Sequence, residues 1–160
     1  MILETNFKKF LVVILARIAL TACATQGKKG AKLAGDVYTG DETVKYLATG
    51  VRDRVFFAPN KSTLTTASRD TLRKQAAWMR AKGKALSFTI EGHADERGTR
   101  EYNLALGERR ANAVKDYLMT YGISGNRLSV ISYGKERPVN SGSNPLAWSQ
   151  NRRSVTVKAE

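Results

Sequence analysis

The chain has 160 residues, enough for one domain with its own hydrophobic core and hardly enough for two. Lysine and arginine number 27 against 14 acidic residues, and the formal charge of +13 favours an anionic partner such as nucleic acid, a lipid surface or an acidic polymer. A lone cysteine, Cys23, excludes an internal disulfide, and a lone histidine, His93, makes an ordinary zinc site improbable.

Residues 10–22 read FLVVILARIALTA, a short apolar run preceded by Lys8 and Lys9 and ending in small residues. That pattern describes a secretory leader over residues 1–22, too short to be a comfortable membrane span. Arg17 and Glu4 are unusual charges for such a segment. Residues 24–35, ATQGKKGAKLAG, are small, glycine-rich and basic, a composition that buries no core and reads as a flexible tether. Its lysines suit a position near anionic headgroups. Residues 36–52 form an N-terminal extension in which Asp41 is expected to cap a short helix through Tyr46 and Leu47.

The domain proper is expected over residues 53–160. Arg54 to Phe57 reads as a first strand ended by Pro59. Leu64 to Arg80 places Leu64, Ala67, Thr71, Leu72, Ala76 and Met79 at helical spacing, with Gly83 as the stop. Leu86, Phe88 and Ile90 alternate with Ser87, Thr89 and Glu91, a strand with one face buried. A polar loop from Gly92 to Gly98 follows. From Asn103 a second helical stripe runs through Leu104, Gly107, Ala111, Val114, Leu118 and Tyr121, and Gly122 ends it. Leu128 to Ser132 is a third strand, Ala147 to Asn151 a helical turn and Ser154 to Val157 a last strand. Strand, helix, strand, helix, strand is a βαβ-type pattern and predicts a sheet with helices on one or both faces.

Several separated motifs carry a family resemblance. Residues 90–114 read IEGHADERGTREYNLALGERRANAV. Gly92-His93-Ala94-Asp95, Gly98, Asn103 and Leu106-Gly107-Glu108-Arg109-Arg110-Ala111 resemble the signature of the OmpA C-terminal family, and within it of the peptidoglycan-associated lipoproteins. Ser132 to Pro138 (SYGKERP) and Asn151-Arg152-Arg153 resemble its later motifs. The resemblance covers residues 54–158 and implies an α/β (α+β sandwich) fold, βαβαβ(α)β, with a mixed sheet packed against helices. Leu20-Thr21-Ala22-Cys23 resembles the lipobox of bacterial lipoproteins, which implies acylation of Cys23. Ala24 stands where an inner-membrane retention aspartate is typical, which implies an outer-membrane anchor with the domain facing the periplasm.

The resemblance also implies a ligand: the diaminopimelate of peptidoglycan stem peptides, which carries an ammonium and a carboxylate on one carbon. Asp95 and Arg110 match the family's ligand site. A carboxylate at Asp95 suits the ammonium, and the planar guanidinium of Arg110 suits the carboxylate through two parallel bonds. Gly98, Asn103, Leu106 and Arg152 are the neighbouring candidates, with Asn103 equally suited to capping the helix or orienting the loop. The bland alternative makes Asp95 a local cap and Arg110 a solvated helix charge. Arg109 reads as surface, and His93 as a packed, hydrogen-bonded residue. Asn60 replaces an acidic residue common in the family, which puts the family's contact there in doubt. The Tol system, through the TolB β-propeller, is the implied protein partner; an adaptor role in another envelope assembly is the alternative.

Two rival classes fare worse. His93, Asp95 and Glu96 sit together as hydrolase groups can, yet there is no second histidine and no Gly-x-Ser-x-Gly elbow. No cofactor and no catalysis are expected. The charge alone suggests nucleic acid, but no zinc finger, RNP or homeodomain pattern is present, and an exported chain would not meet it.

Overall fold

The computed structural model describes residues 33–34 and 36–159. The leader, Cys23 and most of the tether lie outside the described residues.

Two short ladders open the described chain. Strand β1 (Leu33–Ala34) pairs antiparallel with β2 (Val37–Tyr38), and β3 (Tyr46–Ala48) pairs antiparallel with β4 (Val51–Arg52). The second ladder corrects the helix expected through Tyr46 and Leu47. Gly50 at φ +74° supplies the left-handed turn that closes a hairpin. Asp41 caps nothing; it pairs with Arg52 at 2.5 Å. Alternation then buries Leu47 against the core and leaves Tyr46 60% exposed.

The main sheet has four strands in the order β5 (Arg54–Phe56), β8 (Arg153–Lys158), β6 (Phe88–His93), β7 (Leu128–Gly134). Strand β8 runs antiparallel to both β5 and β6, and β6 runs parallel to β7. The last strand of the chain therefore sits between the first two strands of the sheet. This is the mixed sheet packed against helices that the family resemblance implies.

Helix α1 (Thr66–Ala81) connects β5 to β6. Thr65 caps it by accepting from the Ser68 N–H, and Ser68 Oγ donates to Phe56 O, fixing the helix start to the edge strand. Its inner face buries Leu72, Ala76 and Met79, the large side chains contributing about 1.5–3 kcal/mol each on burial. Helix α2 (Arg100–Thr120) connects β6 to β7. It starts three residues before the expected Asn103, because Thr99 accepts from the Tyr102 N–H and is the true cap. Gly122, at φ +81°, ends it. Helix α3 (Pro145–Asn151) is capped by Asn144 and leads into β8. Val55, Phe88, Ile90 and Leu128 of the sheet meet Leu72, Met79, Val114 and Leu118 of the helices in one core.

One close approach sets the position of the site. A Cβ on Gly92 would overlap the carbonyl oxygen of Gly107, and a Cβ on Gly107 would overlap Ser132 Oγ. Two glycines thus let α2 lie against β6 with backbone touching backbone. Arg110, nearly one turn further along α2, is thereby carried under the loop that leaves β6.

Candidate functional site

Strand β6 ends at His93, and Ala94 N–H donates to Gly134 O at 2.8 Å, holding the exit loop to β7. Asp95 follows, 8% exposed. Arg97 folds back across a two-residue turn and donates from Nε to Oδ1 at 3.1 Å and from Nη2 to Oδ2 at 2.7 Å. The Arg97 backbone N–H donates to Oδ1, and Arg152 Nη1 donates to Oδ2 at 3.2 Å. Burial by itself would raise the Asp95 pKa, but the hydrogen bonds from Arg97 and Arg152 outweigh it and hold the carboxyl below its ordinary value. Asp95 is therefore an anion at neutral pH.

Arg97 is itself held in place. Its guanidinium stacks over the Trp148 ring at 4.3 Å, and Trp148 Nε1 donates to Glu96 Oε1 at 2.8 Å. Asn103 Nδ2 donates to Arg97 O, so Asn103 orients the loop and does not cap the helix. Gly98, at φ +92°, turns the chain toward α2, and its carbonyl accepts from Lys135 Nζ at 2.8 Å. A pocket of about 220 Å³ opens beside this loop, walled by Asp36, Pro59, Arg97, Pro145, Trp148 and Arg152 among others. Leu106 is buried in α2 and is absent from that wall.

Arg110 occupies a different environment from a surface clamp. It is 0% exposed. Nε donates to Lys61 O at 2.9 Å, Nη1 to His93 O at 2.8 Å and Nη2 to Ala58 O at 3.1 Å. Phe57 covers one face of the guanidinium at 5.2 Å. Burial, then the neighbouring Arg152, lowers its pKa to about 10, so it stays charged at neutral pH. Arg110 thus ties the 58–61 loop, with Asn60 at φ 54°, to the end of β6. Asp95 and Arg110 are close neighbours, but the ion partners of Asp95 are Arg97 and Arg152.

Arg152 and Arg153, at the entry to β8, have different partners. Arg152 pairs with Asp95 and also donates to Phe57 O at 3.1 Å. Arg153 is buried at the start of β8, donating to Arg137 O at 3.1 Å, and forms no ion pair among the described residues. Arg109 is exposed. His93 is packed, 2% exposed, against Tyr133, but neither ring nitrogen has a hydrogen-bond partner; Glu91 Oε2 lies 3.6 Å from Nε2. Burial, then the charges of Arg153, Arg54 and Arg137, lowers its pKa to about 3.

Sequence reasoning missed Arg97 and Trp148. The sequence signal for Arg97 was its place two residues after Asp95, the spacing of a side chain turning back on its neighbour. Nothing in the sequence joins Trp148 to it across 51 positions.

The family model described as the OmpA family matches residues 56–152, a span that holds Asp95, Arg110 and Arg152. The chain belongs to the OmpA family. It is 44% identical over 151 residues to a peptidoglycan-associated lipoprotein of Rhizobium meliloti, covering 92% of this chain and 85% of that one. It is also 44% identical over 151 residues to the protein of that name from Brucella melitensis, covering 91% and 89%. Among solved structures, the peptidoglycan-associated lipoprotein from Burkholderia pseudomallei superposes with a TM-score of 0.64 at 34% identity, over 67% of this chain and 90% of that one. The C-terminal domain of Helicobacter pylori MotB superposes with a TM-score of 0.63 at 20% identity, over 68% and 84%, which speaks for the OmpA fold alone. The OmpA family is non-catalytic, in agreement with the reading of a binding domain.

Proposed function

We propose that this OmpA-family chain is a lipoprotein that binds peptidoglycan non-covalently and fastens the outer membrane to the cell wall. The observation that carries the reading is Asp95: an ionised carboxylate held by Arg97 and Arg152, the two arginines that wall a neighbouring pocket. The names of its relatives support peptidoglycan as the polymer. The ligand group we propose is diaminopimelate, whose ammonium displaces the exposed side of the Asp95–Arg97 pair. The Arg97 side chain is 47% exposed, so water can solvate its charge when it leaves Asp95 and Trp148.

The ligand carboxylate is assigned to Arg110, as the family resemblance implies. Because Arg110 is enclosed, that contact requires the 58–61 loop to shift and release at least one carbonyl. Gly98, Asn103 and Arg152 act in this reading by shaping the loop and holding Asp95, and Leu106 by packing α2 beneath it. Cys23 is the proposed acylation site, and two or more acyl chains would anchor the protein stably. One clasp is weak, but many copies on one wall lattice act together. The TolB β-propeller is the proposed protein partner.

The test is co-sedimentation of residues 36–160 with purified peptidoglycan, comparing wild type with Asp95→Asn and Arg110→Lys. Wild type should pellet and both variants stay in solution while folded. Equal pelleting of all three, reversed by salt, sinks the site assignment and leaves only charge adhesion.

A further inference from the structure

The basic charge of the domain is concentrated in one stretch of the chain. Residues 36–160 hold 21 basic and 13 acidic residues. Seven of the basic residues but a single acid, Asp70, lie between Lys61 and Lys84. The rest is near balance, 14 against 12, and Arg54, Arg110, Arg152 and Arg153 of that remainder are buried.

Helix geometry spreads this charge along the exposed side of α1. Arg69, Arg73 and Arg80 lie at i, i+4 and i+11, one stripe roughly 70° round the helix from Leu72, Ala76 and Met79, and Lys74 lies about 120° further round, beyond Asp70. All four are exposed, as are Lys82 and Lys84 just beyond the helix. Asp70 pairs with Arg73, and among the described residues Arg69, Lys74, Lys82 and Lys84 have no acidic partner.

The N-terminal extension abuts the same face. A hollow of about 420 Å³ is walled by Tyr46, Gly50 and Arg52 on one side and Asp70, Thr71 and Lys74 on the other. A groove of about 390 Å³ sets residues 37–40 beside Thr65 to Ser68 at the start of α1. Tyr46, an aromatic with a polar tip, is 60% exposed at this margin, a type of side chain favoured at a lipid–water boundary.

We propose that the exposed face of α1, with Tyr46 beside it, docks on an anionic lipid bilayer. The choice of a lipid partner leans on the proposed anchor. The 13 residues from Cys23 to Asp36 reach at most about 45 Å, so an acylated chain keeps α1 within reach of headgroups. A polybasic surface next to an acyl anchor supplies the second of two membrane signals. Lys82 and Lys84 precede β6 and Asp95 follows it, so the C-terminal part of the lipid-facing surface and the wall site lie at opposite ends of that strand.

The test uses residues 23–160 with Cys23→Ser, so that no acyl chain contributes; every described residue lies within this span. Sedimentation is measured with phosphatidylcholine vesicles and with vesicles enriched in phosphatidylglycerol. Wild type should pellet only with the second kind. Arg69→Glu, Lys74→Glu and Lys84→Glu together should weaken that binding at least about ten-fold. The same variant should still pellet with peptidoglycan, which separates this surface from the wall site. A control triple of equal charge change, Arg100→Glu, Arg109→Glu and Lys115→Glu, should keep vesicle binding; thermal melts check that both triples fold. Equal loss by both triples, or no vesicle binding by wild type, overturns the proposal, and an acidic protein surface becomes the occupant to seek.

Discussion

Arg97 grips both carboxylate oxygens of Asp95, at 3.1 and 2.7 Å, from only two positions away, and lays its guanidinium on Trp148. The pair is half in water, which limits its worth to stability at about 1 kcal/mol or less. Its greater effect is on charge. Arg97→Ala should raise the Asp95 pKa toward the ordinary carboxylate value, read by carbon NMR titration of the side chain. The sign follows from the depressed folded value: the pair's stabilisation is complete above the unfolded pKa of about 3.9 and lost as pH falls through the lower folded one. An unmoved Asp95 pKa would show that Arg152 alone sets it.

Arg110→Ala should be among the most damaging substitutions in the domain. It leaves the carbonyls of Ala58, Lys61 and His93 without their donor and opens a void under Phe57. The expected loss is about 3 kcal/mol or more in urea unfolding. Arg110→Lys keeps the charge but cannot reach all three carbonyls, and should fall between that variant and wild type. A neutral Arg110→Ala melt would mean the guanidinium is not the tie between the 58–61 loop and β6.

His93 makes stability fall in mild acid. Its folded pKa of about 3 lies below the ordinary value of 6.5, so below pH 6.5 the unfolded chain takes up a proton that the folded chain refuses. Folding then loses stability as pH drops from 6.5 toward 3, roughly 2 kcal/mol between pH 7 and pH 5. His93→Gln should flatten that interval of the stability–pH curve. A wild-type curve flat from pH 7 to pH 5 would show the ring protonates in the fold.

Gly92→Ala should push α2 off β6, because its methyl meets the Gly107 carbonyl, backbone that cannot step aside cheaply. A loss of about 2–3 kcal/mol is expected. Wall binding should fall beyond what the melt explains, since the same shift moves Arg110 from His93 O. Unchanged melting would mean the helix and strand are not in true contact there.

The periodicities located α1, β6, α2 and β7 to within a few residues, and the spaced motifs placed Asp95 on a loop and Arg110 on the helix after it. Local patterns report these features well because they depend on neighbours in the chain. Periodicity failed at residues 46–52, where so short a stretch fits a helical turn or a hairpin equally, and a glycine at positive φ decided between them.

Whether Asp95 faces a guanidinium from two or from 57 residues away is a tertiary matter, and both are the case. Alternation marks β8 as a strand but not its seat between β5 and β6, which brings Arg152 to Asp95. The enclosure of Arg110 is equally invisible in one dimension, since its three acceptors come from Ala58, Lys61 and His93, far away along the chain. Sequence by itself determined the residue types, the order of elements from β5 onward and the family of this protein, because those are written in short-range spacing. Only the tertiary structure decided which arginine holds the aspartate and which holds the loop, because a guanidinium takes whichever oxygens the packed backbone leaves within about 3 Å of it.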